Sequence, residues 1–167
     1  MPSTQIIVIN TSPLIALVAA WGNLDRLRTI YQEVLVPFEV VQEILQGGMS
    51  NFGVAEFQMA SWLGRQNQPI NILPFLRNSL DLGEASVIQL ALDRSIETVC
   101  IDEAVGRRVA RLNGLMVTGS VGILLKAKQQ DPMMSVKGAI ANMLDRKIRL
   151  SQTVIDFALT QSGEKIG

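Results

Sequence analysis

Short apolar runs rich in β-branched residues recur along the chain, and each is followed by a stretch with helical spacing. The runs are continuous rather than alternating, which is typical of strands that are buried on both faces. Strands of this kind belong to parallel sheets that helices cover on each side. The sequence therefore predicts a doubly wound α/β fold whose five strands cover residues 6–9, 34–36, 70–73, 98–101 and 115–117.

Residues that favour helix starts follow several of these runs. Ser12 before Pro13 predicts a hydroxyl cap followed by a proline at the first helical position, and Pro37 plays the same part after the second run. Asp102 is the predicted cap of the helix after the fourth run. Each of these predicted strands therefore leads directly into a helix.

The rest of the chain divides into helices and one loop. A helix is predicted from Leu82 to about residue 95, and Asn113 with Gly114 ends the helix before the fifth strand. Glycines at positions 47, 48 and 53 predict a flexible loop. Residues 135–148 and 151–162 are predicted as two terminal helices, so that residues 1–167 form a single domain with C-terminal helices at about 135–162.

Composition excludes several classes of site. The absence of histidine rules out imidazole acid–base chemistry and His-ligated zinc, and Cys100, the lone cysteine, is expected in the core. Lys plus Arg and Asp plus Glu are equal at 15 each, so any nucleic-acid contact must come from a local cluster. Because 48% of residues are hydrophobic and only 18% charged, we expect a homodimer.

Nothing in the sequence predicts a membrane segment. The longest apolar stretch, residues 13–21, is shorter than the roughly 20 residues that a span needs. The N-terminus has no basic region of the kind that opens a signal peptide. We therefore expect a cytoplasmic protein.

Polar side chains cluster where the predicted strands end. Ligands of open parallel sheets bind beyond the carboxyl ends of the strands. Glu43 and Glu84, on two predicted helices, are expected to point towards the same edge, although a lone helical glutamate is most often a solvated side chain. The residues that follow the first, fourth and fifth strands are Asn10, Thr11 and Ser12, then Asp102 and Glu103, then Thr118, Gly119 and Ser120.

Crowded carboxylates stay ionised only when a cation lies between them, because like charges raise one another's pKa. Oxygen ligands prefer Mg²⁺ or Mn²⁺, which activate water and neutralise the charge that develops during attack on a phosphodiester. The carboxylates of Glu43, Glu84, Asp102 and Glu103 are expected to meet in one cleft with such an ion.

The order of these motifs resembles the PIN-domain nucleases, and within them the compact prokaryotic branch related to toxin ribonucleases of toxin–antitoxin modules. The resemblance implies a three-layer α/β/α fold with a mostly parallel five-stranded sheet, metal-dependent cleavage of RNA, and an antitoxin protein as a partner. The last two helices lie outside the matching stretches. These stretches are VINTSPLI at 8–15, VVQEI at 40–44, LGEASVI at 82–88, IDEAVGR at 101–107 and VTGSVGIL at 117–124.

The resemblance also implies roles for individual residues. Glu43, Glu84 and Asp102 match the family's catalytic acids and would hold Mg²⁺ or Mn²⁺, with Glu103 as a fourth carboxylate. Ser12 matches the small hydroxyl residue that braces the first motif, and Arg107 matches the family motif as a phosphate contact. The residues predicted at the strand ends and the motifs of the resemblance indicate the same location for the site.

Asn10 departs from the family pattern. The first motif of PIN nucleases normally ends its strand with a metal-binding aspartate, and this chain has an amide instead. An amide oxygen can bind Mg²⁺ without contributing charge, so metal affinity is expected to fall. The alternative to a ribonuclease is therefore a catalytically impaired PIN-like protein that binds RNA or a protein partner.

Two further features have competing interpretations. Arg107 and Arg111 share a helix face and either contact phosphate or form an ordinary solvated surface with Arg108. Thr118 to Gly122, which includes Ser120, leads from a strand into a helix, so its backbone N–H groups are candidates for a phosphate contact. A small-molecule or nucleotide binder that uses this turn is a third hypothesis, although the turn lacks the lysine and spacing of a P-loop.

Overall fold

The computed structural model describes residues 5–47 and 51–164, which form five strands and ten helices. Part of the predicted glycine-rich loop, residues 48–50, lies outside the described residues. The elements are β1 (Gln5–Ile9), α1 (Thr11–Trp21), α2 (Leu27–Ile30), β2 (Tyr31–Val36), α3 (Phe38–Gln46), α4 (Val54–Met59), β3 (Gly64–Arg65), α5 (Pro74–Ser79), α6 (Leu82–Asp93), β4 (Thr98–Cys100), α7 (Ala104–Leu112), β5 (Met116–Thr118), α8 (Ser120–Gln130), α9 (Val136–Asp145) and α10 (Gln152–Ser162).

The five strands form one sheet in the order β3-β2-β1-β4-β5, and every neighbouring pair is parallel. β1 lies in the middle, and its residues Ile7, Val8 and Ile9 are fully buried. This burial explains why the run is continuously apolar, since both faces of a central parallel strand meet helices. The predicted three-layer α/β/α fold with a parallel five-stranded sheet is confirmed.

The register of the sheet brings three strand ends to one level. Ile9 pairs with Cys100 of β4, and Cys100 pairs with Thr118 of β5. The chain therefore leaves β1, β4 and β5 at the same carboxyl edge. Asn10 and the segments that hold Asp102 and Ser120 lie along this edge.

Helices on the two faces of the sheet fix the surroundings of that edge. α6 packs against β1 and β4, and α5 and α7 contact it in turn. α1, α8, α9 and α10 form a second group in which α1 packs on α9 and α8 packs on α10. No helix in residues 5–47 or 51–164 combines the length and apolar character needed to cross a membrane.

The third strand is not where the sequence predicts it. Residues 70–73 have no regular structure, and Gly64–Arg65 instead pairs with Leu35 and Val36 of β2. In the apolar run, the backbone N–H of Ile70 donates to Glu39 Oε2 and that of Leu73 donates to Gln89 Oε1. The prediction was wrong because side chains of α3 and α6, rather than a neighbouring strand, satisfy this backbone.

Three predicted helix starts are also displaced. Asn10 is the N-cap of α1, so Ser12 and Pro13 lie inside its first turn. Pro37 is an N-cap rather than a first helical residue, and Glu103 rather than Asp102 is the N-cap of α7. Asp102 has a different use, because its Oδ1 accepts a hydrogen bond from the backbone N–H of Ser120 at 2.7 Å.

The two predicted terminal helices are present as α9 and α10, and a carboxylate fastens them together. Glu164 accepts hydrogen bonds from the backbone N–H groups of Val136 and Lys137 at 2.7 and 3.1 Å, and it forms a 3.3 Å ion pair with Lys128 of α8. Burial acts to raise the pKa of Glu164, but these donors outweigh it and lower the pKa below its usual value. The end of α10 is thus tied to both α9 and α8.

Candidate functional site

Asn10 is a buried polar residue at the centre of the carboxyl edge. Its side chain is 5% exposed, and its backbone N–H donates to the carbonyl of Cys100 at 3.0 Å. Within residues 5–47 and 51–164, no group donates a hydrogen bond to its Oδ1. A buried carbonyl oxygen without a donor is costly in the free protein, so this position is suited to an electropositive ligand.

Glu43 of α3 reaches the same edge from the side of β2. Val40, Val41 and Ile44 bury the core face of α3, which leaves Glu43 exposed and directed towards α1. There its Oε1 accepts a short hydrogen bond from the hydroxyl of Thr11. The contact fixes one carboxylate oxygen at the start of α1, beside Asn10.

A glycine leaves room for these oxygens to converge. A β-carbon built on Gly83 would lie 3.1 Å from Asn10 Oδ1, 3.3 Å from Glu43 Oε1 and 3.6 Å from Asp81 Oδ1. Oxygens of three residues therefore lie within 3.6 Å of one point at the N-terminus of α6. We call this arrangement the Gly83 cradle.

Glu84 follows the cradle in the first turn of α6. It is 5% exposed, and its Oε2 has no hydrogen-bond donor in the described part of the chain. Burial, together with the neighbouring carboxylates of Asp81 and Glu103, raises the pKa of Glu84 to about 7. This carboxyl group therefore keeps its proton to a higher pH than an exposed glutamate does.

Asp102 lies at the adjoining strand end, beside Gly119. A β-carbon on Gly119 would approach Asp102 Oδ1 at 2.6 Å and Arg107 Nη1 at 2.8 Å, so glycine is needed for this close approach. Arg107 donates from Nη1 to the carbonyl of Ile101 at 2.8 Å, which turns its guanidinium inward. Ser120 is buried and holds Asp102 through its backbone N–H.

The remaining predicted site residues are placed less centrally. Ser12 and Glu103 are exposed, and the Ser12 side chain makes no hydrogen bond with the described residues. The Thr118 hydroxyl makes only a long contact of 3.5 Å with the carbonyl of Gly119. Arg108 and Arg111 are exposed on α7. The hydroxyl that touches an acid is that of Thr11, next to the predicted Ser12.

The acids do not form one compact group in the free protein. Among residues 5–47 and 51–164, no three His, Cys, Asp or Glu side chains are close enough to hold a metal ion by themselves. The Gly83 cradle contains two carboxylates and the Asn10 amide, while Asp102 is held separately by Ser120. The third ligand of the cradle is therefore an uncharged oxygen.

Sequence reasoning missed Asp81, which both caps α6 and contributes to the cradle. Its carboxylate accepts a hydrogen bond from the backbone N–H of Glu84 at 2.8 Å. The spacing of an acidic cap and a glutamate three residues later, Asp81-Leu82-Gly83-Glu84, is a signal of a capping box. Recognising that motif would have placed both acids at one helix start.

Comparison with known families agrees with the arrangement of strands and acids. The model of the family DUF3368, described as a PIN domain, matches residues 6–164. The chain belongs to this PIN-domain family. The match includes α9 and α10, so these helices are part of the PIN domain as this family builds it. A search of curated proteins returned no match.

The PIN domain implies nuclease-like chemistry, and PIN domains generally use divalent metal ions and bind RNA. The residues at the carboxyl edge fit such an ion. Asn10 Oδ1 and Glu84 Oε2 are buried oxygens that lack donors in the described chain, and all nearby ligand atoms are oxygens. Oxygen-only sites of this kind suit Mg²⁺ and Mn²⁺.

Substituting alanine for Gly83 tests the cradle without removing a ligand. The added methyl group would stand 3.1 Å from Asn10 Oδ1, so we expect Mn²⁺ affinity to fall severalfold. Stability in EDTA should stay within about 1 kcal/mol, because alanine favours a helix over glycine by a similar amount. Calorimetric titration and thermal unfolding measure the two effects. Gly138→Ala in α9 is the control, and equal Mn²⁺ binding by both variants would contradict the assignment.

Proposed function

We propose that this PIN domain is a metal-dependent endoribonuclease. The observation that carries the proposal is the convergence of Asn10, Glu43 and Asp81 oxygens on the Gly83 cradle, beside the buried Glu84. If these residues only capped a helix or packed against it, their buried oxygens would be expected to accept hydrogen bonds, and Asn10 Oδ1 and Glu84 Oε2 accept none from the described residues. The oxygen ligands of the cradle and membership of the PIN-domain family together favour hydrolysis of a phosphodiester bond.

Asn10 and Glu43 of the cradle would hold the ion, Glu84 and Asp102 would have to draw in towards it, and Glu103 would be a further carboxylate at the rim. A bound Mg²⁺ or Mn²⁺ supplies an activated water and neutralises the charge that develops on the attacked phosphate. The catalytic acids in this proposal are Glu43, Glu84 and Asp102.

Other groups of the chain orient these acids. The Thr11 hydroxyl holds Glu43, and the Ser120 backbone N–H holds Asp102. The Arg107 guanidinium is fixed on the carbonyl of Ile101 next to Asp102, which favours a positioning part for this residue together with any contact to substrate phosphate. Fixed carboxylates lose less freedom when they meet an ion and its water.

The experiment is cleavage of a structured RNA by the purified protein with Mn²⁺, followed on a denaturing gel. We expect products with the wild-type protein, none with EDTA, and a loss of at least about tenfold in rate with Asp102→Asn, since one ligand charge is removed. Asp25→Asn, at an exposed position, is the matched control. Cleavage that persists in EDTA or in Asp102→Asn would refute the proposal.

The second candidate is an RNA- or protein-binding PIN-like module without catalysis, and the Asn10 amide favours it. An amide in the cradle leaves only two carboxylates around the Gly83 point. Failure of the wild-type protein to bind Mn²⁺ at millimolar concentration would select this candidate. A more specific version of the leading proposal is that the protein is a toxin with an antitoxin partner. Growth arrest on expression of the protein, relieved by Asp102→Asn, would support it.

A further inference from the structure

Two grooves adjoin the carboxyl edge, one lined by Glu43 and the other by Asp102. The first has a volume of about 520 cubic ångströms and is lined by Thr11, Glu43 and Phe52. The second has a volume of about 540 cubic ångströms and is lined by Asp102, Ser120 and Phe157. We name them the Glu43 groove and the Asp102 groove. Each is lined by an acid of the proposed site and by an aromatic ring.

The turn between α9 and α10 forms a wall of both grooves. Arg146 and Lys147 line the Glu43 groove, and Arg149 lines the Asp102 groove. All three side chains are exposed, and Arg146 stacks on the ring of Phe52 at 4.3 Å from its centre. Lys147 and Arg149 have no side-chain partner among the described residues. We call residues 146–149 the basic turn.

The backbone holds the basic turn firmly in place. The N–H of Lys147 bonds to the carbonyl of Leu144 and that of Ile148 to Met143, both at 3.0 Å, which is the pattern of a Schellman helix end. Lys147 occupies the left-handed position of this motif with φ of 66°, where glycine is the usual residue. A lysine there costs roughly 1 kcal/mol relative to glycine.

The charge of the whole chain makes this local cluster informative. Basic and acidic residues balance at 15 each, so no general positive field draws a polyanion to the protein. The three cations of the basic turn, by contrast, stand at the two grooves that lead to the acids. Cations that line a path and rings that bases can stack on are the features of single-strand binding.

We infer that the basic turn binds the backbone phosphates of a single-stranded RNA whose chain runs from the Glu43 groove to the Asp102 groove. Lys147 contacts phosphates on one side of the acids and Arg149 contacts them on the other. Phe157, 56% exposed, is the ring on which a base stacks in the Asp102 groove. The inference rests on the proposed function, because it assigns the path by which substrate reaches that site. A duplex cannot present its bases to this ring.

The test measures binding of a fluorescein-labelled 12-nucleotide oligouridine by anisotropy, in EDTA and at several salt concentrations. We expect the double variant Lys147→Gly with Arg149→Gln to bind at least about tenfold more weakly. The slope of the logarithm of the association constant against log salt should become less negative by about 1.4, since each lost phosphate contact contributes about 0.7. A duplex RNA of equal length should bind more weakly than the single strand to the wild-type protein.

Matched variants separate this effect from general charge and from unfolding. Arg77→Gln, at an exposed position on α5, should leave the salt slope unchanged. Lys147→Gly should unfold at the wild-type temperature or slightly above, because glycine prefers the left-handed position. No binding by the wild-type protein, an unchanged slope in the double variant, an equal loss in Arg77→Gln, or preference for the duplex would each overturn the inference.

Failure of the inference and failure of the proposed function give different results. Cleavage with Mn²⁺ by a protein whose oligouridine binding ignores the basic turn refutes the inference alone. Binding through the basic turn by a protein that never cleaves RNA supports the inference and refutes the nuclease. Because binding is measured in EDTA, the two experiments share no requirement for an ion.

Discussion

Glu84→Gln is expected to make the metal-free protein more stable and the nuclease inactive. The folded protein holds a proton on Glu84 with a pKa of about 7, whereas the usual value for the unfolded chain is 4.5. The folded state therefore binds more protons than the unfolded state between these values, and stability falls as pH rises from 4.5 to 7. Glutamine removes this dependence, because it stays neutral at every pH.

The gain should be on the order of 3 kcal/mol at pH 8, or roughly 10 °C in melting temperature, and much smaller at pH 5. Thermal unfolding in EDTA at the two pH values measures it. Glu97→Gln, an exposed position, is the control and should change stability by less than about 0.5 kcal/mol. An equal gain at pH 5 and pH 8 would show that the Glu84 charge is not the cause.

The same substitution should lower RNA cleavage by at least about a hundredfold, since a metal ligand supplies several kcal/mol of charge stabilisation. Mn²⁺ should raise the melting temperature of the wild-type protein and leave that of Glu84→Gln nearly unchanged. A variant that is stabler and still fully active would remove Glu84 from the site. Opposite changes in stability and activity are expected where buried charge is kept for function.

Asn10→Asp is expected to raise Mn²⁺ affinity by at least about tenfold and to accelerate cleavage. The new carboxylate would stand with Glu43 and Asp81 around the Gly83 cradle, giving three acids where the chain has two. Each added negative ligand strengthens attraction for a divalent ion. Without metal the same charge should destabilise the fold at neutral pH, because it is buried beside like charges.

Calorimetric titration with Mn²⁺ and the RNA gel assay measure these two effects. Asn78→Asp makes the same chemical change at an exposed position of α5 and should alter neither. Equal Mn²⁺ affinity in Asn10→Asp and wild type would show that position 10 does not touch the ion. Cleavage by Asn10→Asp alone would identify the natural protein as the binding module.

The sequence predicted the fold well where hydrophobic burial decides structure. The continuous runs of β1, β2 and β4 are strands because both of their faces are covered, and this is visible in the residues themselves. Residues 70–73 show the limit of that reasoning. Their apolar pattern reflects burial of Ile72, but Glu39 and Gln89 from distant helices take the backbone hydrogen bonds. Pairing partners that are remote in sequence cannot be found from a local pattern.

The site was predictable to a similar extent. Strand ends and helix starts identified the region of Asn10, Glu43, Glu84 and Asp102. The use of Asp102 as an acceptor for Ser120, and of Thr11 as the partner of Glu43, depends on how far one segment lies from another in space. The basic turn was missed because α9 and α10 carry no acid motif, and only their packing on α1 and α8 brings it to the grooves.

α9 and α10 form a helical hairpin, and the carboxylate of Glu164 joins the end of α10 to the start of α9. Its bonds to Val136 and Lys137 and its ion pair with Lys128 lie opposite the basic turn. The pKa of this carboxyl group is lowered, so its hold is present above the unfolded value of 4.5 and is lost as pH falls through the folded one. Acid should therefore remove this connection, while the buried side chains of Val136, Ile140 and Met143 keep α9 packed on the core.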